Sequence, residues 1–312
     1  MQAMRPSPHV KVEIDLNVVR HNIERIAKQV RVPIIAVVKA DAYGLGIDRI
    51  APAIQDQVES WCVFDLSEAA EAELWKKSGK PSLVLGPSDG DGVSDYLAQH
   101  ARPAVWEVSR AASLLKARPV LSVDTGMQRF ACPAGQIEAV LEAGKCDEAF
   151  THATDLQRVK ELVATVGGRG LKLHAAGSSL LDEPDARLDA VRPGLALYRG
   201  AVRVSTRLVE ARDNKGPAGY SGFSTPRHGV ILCGYSNGLR AGPCLVNGAL
   251  SRILEVGMQS AFVELSKKDH AGDEVVLLGE SISEADVGAA WQTSPHEALT
   301  RLCAIGKRSY RG

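Results

Sequence analysis

From Val10 to about Arg199 the chain alternates short apolar runs with amphipathic stretches. Val10–Ile14 reads as a strand, and Asp15 can cap a helix in which Val19, Ile23, Ile26 and Val30 recur at helical spacing. Pro33-Ile-Ile-Ala-Val-Val38 is a continuous apolar run of the kind buried on both faces. A helix is predicted over 46–55. The rhythm then repeats, with strand-like runs at 60–64, 82–85, 102–106, 120–124, 149–152 and 171–175. Helical patterns separate them, at 66–77, to 116, at 134–143 and to 166. Repeated βα units with short loops imply a parallel sheet with right-handed crossovers. About eight apolar strands favour a closed (β/α)8 barrel, whose sites lie where strands end.

After Gly200 helical periodicity fades. Short β-prone runs appear at 201–208, 229–232, 252–256, 261–265 and 274–278, punctuated by Gly and Asn, with a helix expected near 296–302. Ala211-Arg-Asp-Asn-Lys-Gly-Pro-Ala-Gly219 reads as an exposed hairpin loop. The expected fold class is thus α/β: an N-terminal barrel over residues 1–200 and a mainly-β domain over 201–312.

A length of 312 residues and 45% hydrophobic content suit this two-domain reading. Lys plus Arg and Asp plus Glu number 37 each, so the net charge is zero, which argues against a nucleic-acid or membrane-surface partner. The first residues, MQAMRPSPHVKVEID, lack the apolar core of a signal peptide, and no run approaches a membrane span. Six cysteines are scattered without C-x-x-C or paired His/Cys spacing, which points to reduced thiols in a cytoplasmic protein and to no metal site.

Candidate chemistry collects at the ends of the predicted strands. Lys39 follows PIIAVV in AVVKADAYGLG, where a nearby low-dielectric interior favours the neutral amine, the form that bonds a carbonyl carbon. Ser178 in HAAGSSLLD, with Gly194 and Leu195 in VRPGLALYRG, could present a hydroxyl and backbone N–H groups to a phosphate dianion. Arg129 in VDTGMQRFA, His152 in FTHATD and Arg192 each lie at or just past a strand end. Tyr235 in LCGYSNGLR sits between glycines in the β half; a phenol, with an ordinary pKa of about 10, acts as a base only where cations lower it. Taken singly, each has an ordinary explanation: a snorkelling lysine, two turns, surface charges, a core histidine, an exposed aromatic.

Together these strings resemble the alanine racemase family, pyridoxal-phosphate (PLP) enzymes of fold-type III. AVVKADAYGLG looks like its PLP-lysine signature, and VDTGMQRFA, FTHATD, HAAGSS, VRPGLALY, GYSNGLR and GDEVVLLG look like its later blocks, in family order over essentially the whole chain. The resemblance implies a PLP barrel followed by a β domain in a homodimer with shared active sites. The substrate would be a small amino acid. Lys39 would hold PLP and act as one base, for the D enantiomer. Tyr235 would be the other, for the L enantiomer, reaching the second subunit's site. Tyr43 and Ser178 would contact the phosphate, with backbone around Gly194 and Leu195. Arg192 would face the pyridine nitrogen, and His152 would link it to Tyr235. Arg129 would position Tyr235 and the substrate carboxylate, which the backbone of Met258 would also bind.

The chain departs from the family pattern at several points. Ser122 stands where many members have a carbamylated lysine that braces the arginine matching Arg129. Asn237 and Gln259 replace common aspartates, Leu45 a frequent histidine, and Lys307 falls where some members have a phosphate-contacting tyrosine. Rival readings are a PLP-dependent decarboxylase, a one-domain PLP-binding protein without catalysis, and a racemase-like scaffold with altered substrate or lost activity. A decarboxylase would need an acidic residue where Arg192 stands, and a one-domain protein would lack the second half with Tyr235.

Overall fold

A computed structural model describes residues 5–87 and 90–312. Its fifteen strands are β1 Ser7–Asp15, β2 Ile35–Val37, β3 Ser60–Val63, β4 Ser82–Val84, β5 Ala101–Val105, β6 Val120–Ser122, β7 Glu148–Phe150, β8 Lys172–His174, β9 Val202–Asp213, β10 Arg227–Ile231, β11 Pro243–Val246, β12 Ala249–Val256, β13 Ala261–Glu264, β14 Glu274–Leu278 and β15 Gly306–Arg311. They form two sheets, and the chain divides into two compact units.

One unit comprises Arg20–Ala42 and Gly46–Leu197. Here β2 to β8 pair in parallel and in chain order, as βα repeats with right-handed crossovers require. The ring closes through Ala190 and Val191. Ala190 bridges His174 at the end of β8, and Val191 bridges Ile34 just before β2. This two-residue segment therefore serves as the eighth barrel strand. The strands are short and wholly buried, as in β2, β4 and β7, which explains their unbroken apolar runs. Helices such as Ile137–Gly144 and Leu156–Val166 bury one apolar stripe each; in the latter it is Val159, Leu162 and Val166. The single helix expected over 66–77 breaks at Glu73, whose left-handed φ of 52° separates Leu66–Glu71 from Leu74–Ser78.

The other unit comprises the residues up to Val19, Tyr43–Leu45 and Tyr198–Gly312. Its strands run in the order β10-β13-β12-β11-β14-β9-β1-β15, and an additional β10–β9 pairing closes six of them into a small antiparallel barrel. Two expectations are corrected here. The strand at Val10–Ile14 does not open the βα series: β1 pairs antiparallel with β9 and parallel with β15. Its residues alternate, with Val10, Val12 and Ile14 fully buried and Lys11 outside, the mark of a sheet with one covered face rather than of a barrel strand. Nor is Ala211–Asp213 part of a loop: it continues β9, pairing with Arg227–Gly229 of β10.

The first helix, Leu16–Val30, starts where Asp15 Oδ1 accepts the N–H of Asn17 at 3.0 Å, as the pattern predicts. The C-terminal helix is Pro295–Ala304, capped by the Ser294 hydroxyl; a further helix, Glu284–Ala290, and strand β15 were not expected.

Candidate active site

Within the parallel barrel, every strand delivers its C-terminal loop to one end. Lys39 follows β2 there and begins a left-handed turn: Ala40, Asp41, Ala42 and Tyr43 have φ between 53° and 59°. Side chains with a Cβ resist this conformation by about 1–2 kcal/mol per residue, so the turn persists only because hydrogen bonds hold it. Ala42 N–H donates to Val38 O at 2.8 Å, Gly46 N–H to Asp41 O at 2.9 Å, and Ile47 N–H to Asp41 Oδ1 at 2.8 Å.

Next to β2 in the ring, Arg192 follows the closing strand and is only 6% exposed. Its Nη2 donates to Thr151 O at 2.6 Å and its Nη1 to His174 O at 3.0 Å and to His174 Nδ1. Phe150 stacks on the imidazole and lies 4.8 Å below the guanidinium. Among the described residues no carboxylate pairs with Arg192 directly, so a buried cation faces a neutral ring and two carbonyls. Burial lowers its pKa to about 10.

His174 carries no distinguishing signal in the sequence, although it opens HAAGSSLLD four residues before Ser178. It is fully buried, and burial together with Arg192 lowers its pKa to about 4. The ring is therefore neutral. Nδ1 accepts from Arg192, and Nε2 donates to Glu148 Oε1 at 2.7 Å. Burial works against the Glu148 carboxylate, but the His174 bond and the Arg102 charge outweigh it and hold its pKa at about 2. Glu148 Oε2 in turn accepts from Arg102 Nη1 at 2.6 Å. A chain of alternating partners thus fixes the guanidinium through an uncharged imidazole.

This arrangement has an acid-side consequence. The unfolded chain protonates His174 at an ordinary value of 6.5, whereas the native chain does so only near 4. Between those limits the unfolded state holds the extra proton, so stability falls as pH drops, at a slope on the order of 1 kcal/mol per pH unit. Glu148 adds a loss of the same sign between 4.5 and about 2. Denaturant unfolding of His174→Gln is expected to show a flatter slope from pH 6.5 to 4; a slope equal to that of the unaltered protein means the native histidine is not held neutral.

Ser178 and Gly194 also converge, with Ala196 rather than Leu195 supplying the second amide. Ser178 Oγ accepts the N–H groups of Gly194 and Ala196, both at 3.0 Å. Burial pushes the thiol of Cys62, on β3, up to about 11, against the charges of Arg192 and Lys39. Arg129 is exposed on the loop after β6, where Asp124 Oδ1 accepts from Gly126 and Gln128 and Phe130 packs on Trp106. Thr125 of that loop bonds Thr151, at 2.8 Å between hydroxyl oxygens, and so ties it to the Arg192 acceptor. His152 is exposed on the loop after β7.

Tyr235 and Met258 come together in the other unit. Tyr235 N–H donates to Gly257 O at 2.9 Å, and Ser236 binds Met258 O through both its N–H and its hydroxyl. A Cβ at Gly234 would lie 2.3 Å from Met258 O, so the close approach of these two loops requires glycine there. Tyr235 is 56% exposed and Met258 60%. Tyr43, in the same unit, is buried with its ring 5.2 Å from that of Tyr198.

Residues 14–202 match the family described as alanine racemase, N-terminal domain, and residues 210–310 match alanine racemase, C-terminal domain. The chain belongs to the alanine racemase family. It is 29% identical to the alanine racemase of Neisseria meningitidis over 96% of this chain and 97% of that one. The biosynthetic alanine racemase of Escherichia coli is 29% identical over 93% and 96%. The biosynthetic alanine racemase of Pseudomonas aeruginosa superposes with a TM-score of 0.85, 24% identity and coverage of 99% and 100%. That of Bartonella henselae, solved with covalently bound pyridoxal phosphate, superposes with a TM-score of 0.82, 25% identity and coverage of 98% and 100%.

As an alanine racemase family member, the chain is a PLP-dependent isomerase with a TIM-like barrel. Its residues fit the cofactor: a lysine amine for a carbonyl carbon, a hydroxyl with two converging amides for a phosphate, and a buried guanidinium that no carboxylate pairs among the described residues for a ring nitrogen. Among the described residues no group of His, Cys, Asp and Glu could hold a metal ion, and no helix is long and apolar enough to cross a membrane.

Proposed function

We propose that this isomerase interconverts L- and D-alanine by a two-base mechanism, as a cytoplasmic homodimer with shared active sites. The observation that carries the reading is that Lys39 and Arg192 end neighbouring strands of the barrel, where Val37 N–H donates to Pro193 O at 2.9 Å. Residues 1–200, apart from β1, hold the cofactor, and 201–312 bring the second base.

Lys39 would hold PLP and serve one face of the substrate. When bound, PLP draws electron density from the substrate α-carbon and so acidifies its C–H bond. Tyr43, Ser178, Gly194 and Leu195 would hold the phosphate. Arg192 would face the ring nitrogen, where a second cation is disfavoured, and so would suppress full protonation of the ring and the side reactions it promotes. His152 connects Arg192 with Tyr235, and Arg129 and the Met258 backbone orient the substrate carboxylate. Two bases are needed because a single base returns the proton to the face it left. Tyr235 supplies the second from the other copy, which accords with its exposure beside Met258 and the 91%-exposed Tyr220.

The test is a spectrum and a substrate panel. The purified protein is expected to be yellow, borohydride to fix the cofactor to Lys39, and alanine to be racemised ahead of serine and larger amino acids. Label on another lysine, or none, removes the cofactor assignment. A larger amino acid turned over fastest would trace to the departures at Ser122, Asn237 and Gln259 and remove alanine as the substrate.

A further inference from the structure

The left-handed turn that carries Lys39 is tethered from outside its own segment at its first residue. Ala40 N–H, the amide directly after Lys39, donates to Glu68 Oε1 at 2.5 Å. Glu68 lies in the helix Leu66–Glu71 after β3, and its other oxygen is already engaged: Oε2 accepts from Phe64 N–H at 2.7 Å and from Asp65 N–H at 3.3 Å. The second contact is the ordinary task of an acidic residue in a helix's first turn, closing the helix end. The first is not, because it spans 28 residues and ends on the backbone of the neighbouring loop. The carboxylate is half-buried, and its charge acts on the same Cys62 thiol as those of Lys39 and Arg192.

We propose that Glu68 is a positioning residue for Lys39: one carboxylate fixes the end of the β3 loop with one oxygen and the start of the lysine turn with the other. This rests on the reading of Lys39 as the cofactor-bonding lysine and one of two bases. Four successive left-handed residues hold their shape only if over-determined, and Glu68 supplies a constraint at the residue directly after the reacting lysine. Freed of it, the turn relaxes and the amine moves away from one face of the substrate, while the Tyr235 face is untouched.

Glu68→Gln is the sharp variant. An amide side chain has one acceptor oxygen and presents donors at its other end, so it can satisfy the β3 loop or Ala40 but not both. In the loaded enzyme, hydrogen exchange in the peptide covering residues 38–45 is expected to quicken about 10–100-fold, the loss of a bond to a charged acceptor. Attachment of added PLP to Lys39, trapped by borohydride and mapped, is expected to slow by about 10–100-fold through misplacement of the amine. With α-deuterated substrates, the isotope effect should rise for D-alanine and fall for L-alanine, since only the step served by Lys39 becomes slower. These effects are ratios, so a partly unfolded preparation leaves them readable. Unchanged exchange at 38–45, exchange quickened evenly along the chain, or isotope effects shifted alike for both enantiomers overturns the role of Glu68. Borohydride label away from Lys39 in the unaltered enzyme instead overturns the underlying assignment of the lysine.

Discussion

Lys39→Ala is expected to lose racemisation by at least about 10⁴-fold, since on the proposed reading it removes both the covalent anchor and one positioned base. The protein should still fold, because Lys39 lies outside the buried core and the turn is held through the backbone and Asp41. Tyr235→Phe should be similarly inactive. Mixing the two is the informative step. If each site takes Lys39 from one chain and Tyr235 from the other, a heterodimer has one site with both residues and one with neither. Random exchange of equal amounts makes half of the dimers mixed, with one of their two sites intact, so about a quarter of the unaltered rate should return. Exchange can be followed independently with a mass-tagged subunit. Demonstrated exchange without recovered activity would show that Lys39 and Tyr235 do not meet across two subunits.

The barrel was legible because its strands are short, apolar and evenly spaced, and because parallel βα units allow few topologies. The closing strand was not: Ala190 and Val191 make single bridges, too brief to register as a run. The misplaced β1 carried its own signal. VKVEID alternates where PIIAVV does not, and alternation belongs to a half-covered antiparallel sheet. Strand β15, in GKRSYRG, has almost no apolar content; it exists because β1 supplies a ladder, with Lys11 to Asp15 opposite Lys307 to Arg311. No local pattern encodes such a pairing across almost the whole chain.

The same limit separates the visible part of the site from the hidden part. Lys39, Ser178 and Arg192 announce themselves by following apolar runs. Their supports do not. Glu148 opens a three-residue strand, His174 ends another, and their bond joins positions 26 apart. Glu68 resembles any acidic residue near a helix start, and only the structure shows its second oxygen reaching Ala40. Supporting residues are defined by what they touch, and touching is set by the fold.

Tyr235→Phe gives the most direct reading of the two-base assignment. The ring sits on a short turn fixed by its own backbone, and by Asn237 Oδ1 accepting from Gly234 N–H at 3.0 Å, and it is largely exposed. Removing one oxygen therefore changes chemistry without disturbing a core. Lys39 is untouched, so PLP should bind normally and the α-proton of D-alanine should still exchange slowly with solvent. Exchange from L-alanine should fall by about 10²–10⁴-fold, the contribution of a positioned base. Racemisation should be lost in both directions, because the proton must be returned on the face that Tyr235 serves. The asymmetry of exchange, observed by NMR in deuterated water, separates this from general damage, which would slow both enantiomers together. Equal loss from L- and D-alanine, with PLP still bound, would leave Tyr235 as a binding residue and require another group on that face.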